Sequence, residues 1–121
     1  MGRVDTEHRV LCHALFDAIE REDPEGMARC YAPGMTLWFN VTGEEVSGED
    51  TIVAQTAGRQ IQRRRTYDDR IISTFDDGFV VQYTLTVVLH DGSRRSLSAC
   101  AVAEVHDGLI VRLSEHLDSS R

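Results

Sequence analysis

The sequence predicts an α+β fold, with three N-terminal helices packed on a curved antiparallel sheet that encloses a pocket. Two observations carry this. Apolar residues recur at helical spacing near the start and at strand spacing through the second half. Three Asp-Gly pairs, Asp77-Gly78, Asp91-Gly92 and Asp107-Gly108, punctuate that second half and join four strand-like runs into a meander. Helices laid against one sheet are how such elements bury their apolar sides, which gives a cone-like α+β domain.

The elements follow in order. Over residues 5–21, Val10, Leu11, Ala14, Leu15, Ala18 and Ile19 form an apolar stripe, with Asp5 or Thr6 available to cap the start. Asp23 before Pro24 is a helix-start signature, so a second helix carries Met27, Ala28 and Tyr31 and stops at Pro33-Gly34. Residues 35–41 are aromatic and branched, as in a strand. Ser47, Gly48, Glu49 and Asp50 open a third helix, with acids at its positive end, expected to run to about residue 64. Strands are expected over 67–75, 79–90, 96–105 and 109–118.

Composition narrows the function classes. A chain of 121 residues with 41% hydrophobic residues supports one domain, 1–121, with one core. A net charge of −7 argues against nucleic acid and against an anionic membrane as partners. Arg63, Arg64 and Arg65 form a lone basic run, read as the solvated end of the third helix. Cys12, Cys30 and Cys100 are widely spaced, and the N-terminus carries no apolar signal segment. Together they point to reduced thiols and a cytoplasmic protein. No spacing of His and carboxylates suggests a metal site, and no cofactor motif occurs.

Two segments carry a family resemblance. One runs from Asp23 through Pro33 to Leu37-Trp38-Phe39-Asn40 and Ser47-Gly48. The other runs from Asp107-Gly108 through Arg112 to Ser114-Glu115-His116-Leu117-Asp118. In this order they resemble the SnoaL-like branch of the nuclear transport factor two-like superfamily, the fold of ketosteroid isomerase, limonene epoxide hydrolase and polyketide cyclases. The resemblance covers residues 7–118. It implies a hydrophobic pocket, commonly a homodimer formed sheet to sheet, and chemistry without a cofactor on a hydrophobic carbonyl compound.

With Asp118 taken as inward, His116, Ser114 and Arg112 share its side of the last strand. By the resemblance, Ser98, Cys100 and Val102 face inward on the preceding strand, and Gln82, Thr84, Thr86 and Val88 on the long one. The opposite set, Val81, Tyr83, Leu85 and Val87, is too apolar to face water, so a second copy of the chain is expected to cover it. The candidate site is then Asp118, His116 and Asn40 as catalytic residues, set among Trp38, Phe16, Tyr31, Thr84, Thr86 and Cys100 as the ligand-binding wall. A carboxylate two positions from an imidazole on one strand face can divide acid and base roles near neutral pH. Asn40 would polarise a carbonyl.

The superfamily's chemistries differ in fit. The tyrosine and two acids of ketosteroid isomerase fall on Leu15 or Phe16, on Phe39 or Asn40, and on Cys100 or Val102, none of which supplies the group. The epoxide hydrolase pattern keeps Asn40 and Asp118 but places its Arg-x-Asp pair on Thr84 and Thr86. The sparse aspartate chemistry of SnoaL-like cyclases fits best. Three functions follow: a cyclase, isomerase or dehydratase; a non-catalytic small-ligand-binding domain; or a dimerisation module.

Overall fold

A computed structural model of the chain describes residues 2–58 and 62–118, and side chains at all of these except 54–58, 62 and 63. The order of elements is α1 (Arg3–Arg21), α2 (Pro24–Ala28), β1 (Tyr31–Phe39), β2 (Glu45–Ser47), α3 (Gly48–Gly58), β3 (Gln62–Phe75), β4 (Gly78–Leu89), β5 (Arg94–His106) and β6 (Leu109–Leu117). All six strands form one open sheet in the order β2-β1-β6-β5-β4-β3. The four-strand meander is present as the turns predict. At the third turn, Asp107 and Gly108 both have positive φ, 52° and 77°, the backbone that an Asp-Gly hairpin requires.

Several boundaries differ from the sequence reading. Only α1 and α2 precede the sheet, because α3 enters between β2 and β3. The sheet is mixed: β1 pairs in parallel with β6 and the remaining neighbours are antiparallel. Asp23 caps α2 as predicted, accepting from the Gly26 N–H at 3.0 Å. A Cβ on Gly26 would lie 2.6 Å from the Asp23 carboxylate, so glycine belongs there. The helix is only five residues long, and Tyr31 opens β1 instead. Pro33-Gly34 forms a bulge inside that strand, with Gly34 at φ 79°. No side chain caps α1, which starts behind Gly2. Arg64 and Arg65 lie on β3, not at a helix end. The end expected for the third helix falls partly outside the described residues.

Burial settles which side of the sheet is the core. Phe79, Val81, Tyr83, Leu85 and Val87 of β4 are buried, together with Ala101 and Ala103 of β5 and Leu113 of β6. Helix α1 crosses this face and presents His8, Cys12, Leu15, Phe16 and Ala18. The sequence reading had the β4 set outward beneath a second copy of the chain; the chain's own first helix covers it. The apolar stripe of α1 is likewise rotated: Val10 is 63% exposed, while Cys12 and Phe16 are fully buried. Both corrections have one physical reason. The most apolar side of the sheet takes the helices, because that burial removes the most apolar surface from water.

Phe16 is the centre of this contact. Its ring lies 4.9 Å from that of Tyr67 and 5.2 Å from that of Tyr83, and the two tyrosines are 5.2 Å apart. Offset and edge-on aromatic clusters of this kind add to the area they bury. Replacing Phe16→Ala opens a cavity between α1 and β4 and is expected to cost about 3–5 kcal/mol of stability. Urea denaturation of the two proteins measures this directly.

Candidate functional site

The face of the sheet turned toward the helices continues past α1 into an open-ended chamber of about 350 Å³. Phe39, Val46, Leu85 and Leu117 supply its apolar walls, and Asp50 and Thr51 of α3 lie along one side. Tyr67, Arg65 and Glu115 are the polar groups of the strands that reach it. They arrive there by register. Glu115 stands opposite Phe39 on β1 and Ala101 on β5, while Arg65 and Tyr67 stand opposite Val87 and Leu85.

Glu115 is the distinctive group. It interrupts the apolar series Leu113, Glu115, Leu117 on the inward side of β6. Its Oε2 accepts a 2.5 Å hydrogen bond from the Tyr83 hydroxyl. Burial pushes its carboxyl above the usual carboxylate range; the Tyr83 bond and the positive charges of Arg65 and His116 oppose that rise. Burial, reinforced by the Glu115 charge, pushes the Tyr83 phenol far up, so Tyr83 stays protonated and donates. Burial also raises Tyr67, against a hydrogen bond from Arg65, and it raises Tyr31, whose phenol senses both Tyr67 and Glu115. The Glu115 carboxyl thus meets the Tyr83 phenol directly and shares the chamber with Tyr67 and Arg65.

The residues expected from sequence take other places. Phe16 is in the core behind Tyr67 and Tyr83. Tyr31 is on the interior side, packed where a Cβ on Gly48 would lie 3.3 Å from its ring. Thr84, Thr86, Cys100, His116 and Trp38 lie on the opposite, outer face. There Cys100 pairs with His116, and the His116 ring lies 5.3 Å from that of Trp38. Thr84, Cys100, His116 and Asp118 do converge, in a shallow outer depression rather than the chamber. Asp118 is exposed just past β6, its amide bonded to the Ser98 carbonyl at 3.1 Å. Asn40 extends the sheet: its side chain donates to the Leu117 carbonyl at 3.1 Å and accepts from the Leu117 N–H at 2.8 Å.

This exchange of faces is a shift by one residue, from His116 and Asp118 to Glu115 and from Thr84 to Tyr83. Strand side chains alternate with period two, so one wrong anchor moves the whole set. The overlooked signal was the acid within an apolar alternation, Leu113-x-Glu115-x-Leu117. Cys12 and Cys30 are buried thiols, Cys12 pushed up to about 12 by burial, and neither borders the chamber. Among the described residues, no three His, Cys, Asp or Glu side chains are grouped to hold a metal ion. No described helix is long and apolar enough to cross a membrane.

Glu115→Gln offers a test of the buried carboxyl. A carboxyl whose pKa is raised on folding contributes stability that is fully present below the unfolded value and is lost as pH rises through the folded one. The variant is therefore expected to match the wild type below about pH 4 and to melt at a higher temperature than the wild type toward neutrality. Melting temperatures measured across that range check both the sign and the window.

Comparison with known proteins agrees with the fold. A polyketide cyclase, provisionally assigned, from Xanthomonas campestris superposes with a TM-score of 0.84 at 19% identity, covering 93% of this chain and 91% of that one. AclR, a provisionally assigned hydroxylase from Streptomyces galilaeus, superposes with 0.82 at 19% identity, covering 95% and 77%. A ketosteroid-isomerase-like protein from Catenulispora acidiphila, solved with trimethylamine, gives 0.81 at 10% identity, covering 91% and 86%. No curated protein matches the chain in sequence. Residues 12–113 match the model of the SnoaL-like domain, and the chain belongs to that family.

Proposed function

We propose that this SnoaL-like domain is a cofactor-free acid–base catalyst acting on a small carbonyl compound with a hydrophobic body, in the manner of a cyclase, isomerase or dehydratase. The observation that carries the reading is the Glu115 carboxyl, bonded to the Tyr83 hydroxyl at 2.5 Å and opening into an apolar chamber. Desolvation brings its proton affinity toward the working range of a general acid–base. In the ionised form it removes a proton from the carbon beside a carbonyl. Arg65 and Tyr67, on β3 across the same chamber, are placed to receive negative charge as it develops on the carbonyl oxygen. The protonated carboxyl then returns the proton at another atom, with Tyr83 holding the group in place throughout. The names of the structural neighbours, polyketide cyclase and hydroxylase, are in keeping with apolar oxygenated substrates.

The test is exchange of α-protons of a bicyclic ketone such as 2-tetralone with D₂O, followed by NMR. Wild-type protein is expected to accelerate exchange, and Glu115→Gln to lose about 10²–10⁴-fold of that acceleration while still binding the ketone. Asp118→Asn, at the exposed strand end, is expected to stay within a few-fold of wild type. Ketone binding without exchange favours the ligand-binding alternative, and absence of both favours a dimerisation module.

A homodimer is part of this proposal, now through the outer face of the sheet. Ile71 is 63% exposed there, and Val80, Val102 and Trp38 on the same face are half-buried. Val102→Glu is expected to shift the protein from dimer to monomer in sedimentation at micromolar concentration. A wild type that sediments as a compact monomer defeats this expectation.

A further inference from the structure

Strand β3 carries one residue more than β4 in its middle: Asp68 pairs with Thr84, and the next pair is Ile71 with Gln82. Asp69 absorbs the extra residue in the left-handed region, at φ 56°. A bulge resets the alternation of side chains. Tyr67 faces the helices before it, Ile72 and Thr74 face them after it, and Arg70 turns to the same side. Without that reset, Arg70 would point away from α1.

The Arg70 side chain is only 10% exposed. Its Nε donates to the Tyr67 carbonyl at 2.9 Å. Nη1 donates to Asp17 Oδ1 at 2.9 Å and lies 2.9 Å from His13 Nδ1. Nη2 donates to Glu20 Oε2 at 3.2 Å, and the guanidinium carbon is 5.8 Å from the Phe16 ring centroid. The same Glu20 oxygen accepts from the Tyr67 N–H at 2.6 Å. Both main-chain polar groups of Tyr67 are thus held by one charged pair, which is itself fastened to α1.

We propose that Arg70 is a positioning residue for the interior site: with Glu20 it clamps the Tyr67 backbone, sets the Tyr67 ring against Tyr83, and so determines where the Tyr83 hydroxyl meets Glu115. The inference rests on the reading of Glu115 as the acid–base group. A slip of one residue in β3 would carry Tyr67 out of the chamber. A planar guanidinium serves these acceptors in fixed directions, whereas an ammonium is a single compact charge on a flexible stem. Lysine should therefore not replace Arg70, even though the charge is kept.

The chain has three tyrosines, Tyr31, Tyr67 and Tyr83, so protein labelled with 3-fluorotyrosine gives three ¹⁹F signals. Arg70→Met and Arg70→Lys are expected to retain a cooperative fold while shifting or broadening the Tyr67 and Tyr83 signals. Water admitted beside a loosened Tyr67 relieves the desolvation of Glu115. Its midpoint, read from ¹³C-labelled glutamate, should fall toward the ordinary carboxylate value. A loss of thermal stability with unchanged tyrosine signals and an unchanged Glu115 midpoint would mean that Arg70 only staples α1 to the sheet, and the proposal falls. If Arg70→Met does not fold, Glu20→Gln keeps an acceptor for Tyr67 while removing the carboxylate; unchanged Tyr67 and Tyr83 signals in that variant overturn the proposal equally. An ordinary Glu115 midpoint in wild type defeats the acid–base reading instead, and the tyrosine signals still report whether Arg70 positions the ring.

Discussion

The contact between α1 and the inward face of the sheet is the constraint on which the rest of this structure depends. Phe16 packs against both Tyr67 and Tyr83 and fixes how closely the helix approaches β3 and β4. The contact also decides which half of every strand is interior, because the alternation on β4 propagates through the ladders to β5, β6 and β1. Tyr83, Ala101, Glu115 and Phe39 share one side only because Phe79 and Val81 lie beneath the helix.

That placement sets the electrostatics. A carboxyl on the outer face would meet water and titrate as an exposed acid. On the inner face Glu115 loses that hydration, and a single phenolic donor replaces part of it. Its environment therefore balances desolvation against one short hydrogen bond and the nearby Arg65. Hydrophobic burial and acid–base chemistry are not separate features here, since the apolar walls that complete the chamber are what perturb the carboxyl.

The fold is shared with proteins of less than 20% identity. A curved sheet with a helix across one end leaves room at the other, and each strand can send any side chain into it. Membership of the SnoaL-like family accordingly describes the vessel, while Glu115, Tyr83, Tyr67 and Arg65 describe its contents. The bulge after Asp68 shows how local backbone irregularity contributes: one added residue brings a guanidinium to the helix side of a strand whose neighbours would otherwise exclude it.

Much of the architecture was determined by the sequence itself. The Asp23 cap, the Asp-Gly turns and the period-two runs specified α2's start and the β3 to β6 meander, because each depends on interactions within a few residues. The partition of β4 into Val81-Tyr83-Leu85-Val87 and Gln82-Thr84-Thr86-Val88 was equally legible. What alternation cannot state is which of two sets faces the helices, since both obey the same period. Taking Asp118 as the anchor turned β4, β5 and β6 the wrong way, and only the packing of Cys12, Leu15 and Phe16 against the sheet decided the matter. The parallel pairing of β1 with β6, the bulge that turns Arg70 inward and the meeting of Tyr83 with Glu115 across 32 positions of chain were likewise decided by tertiary structure. They join residues whose proximity no local interaction encodes.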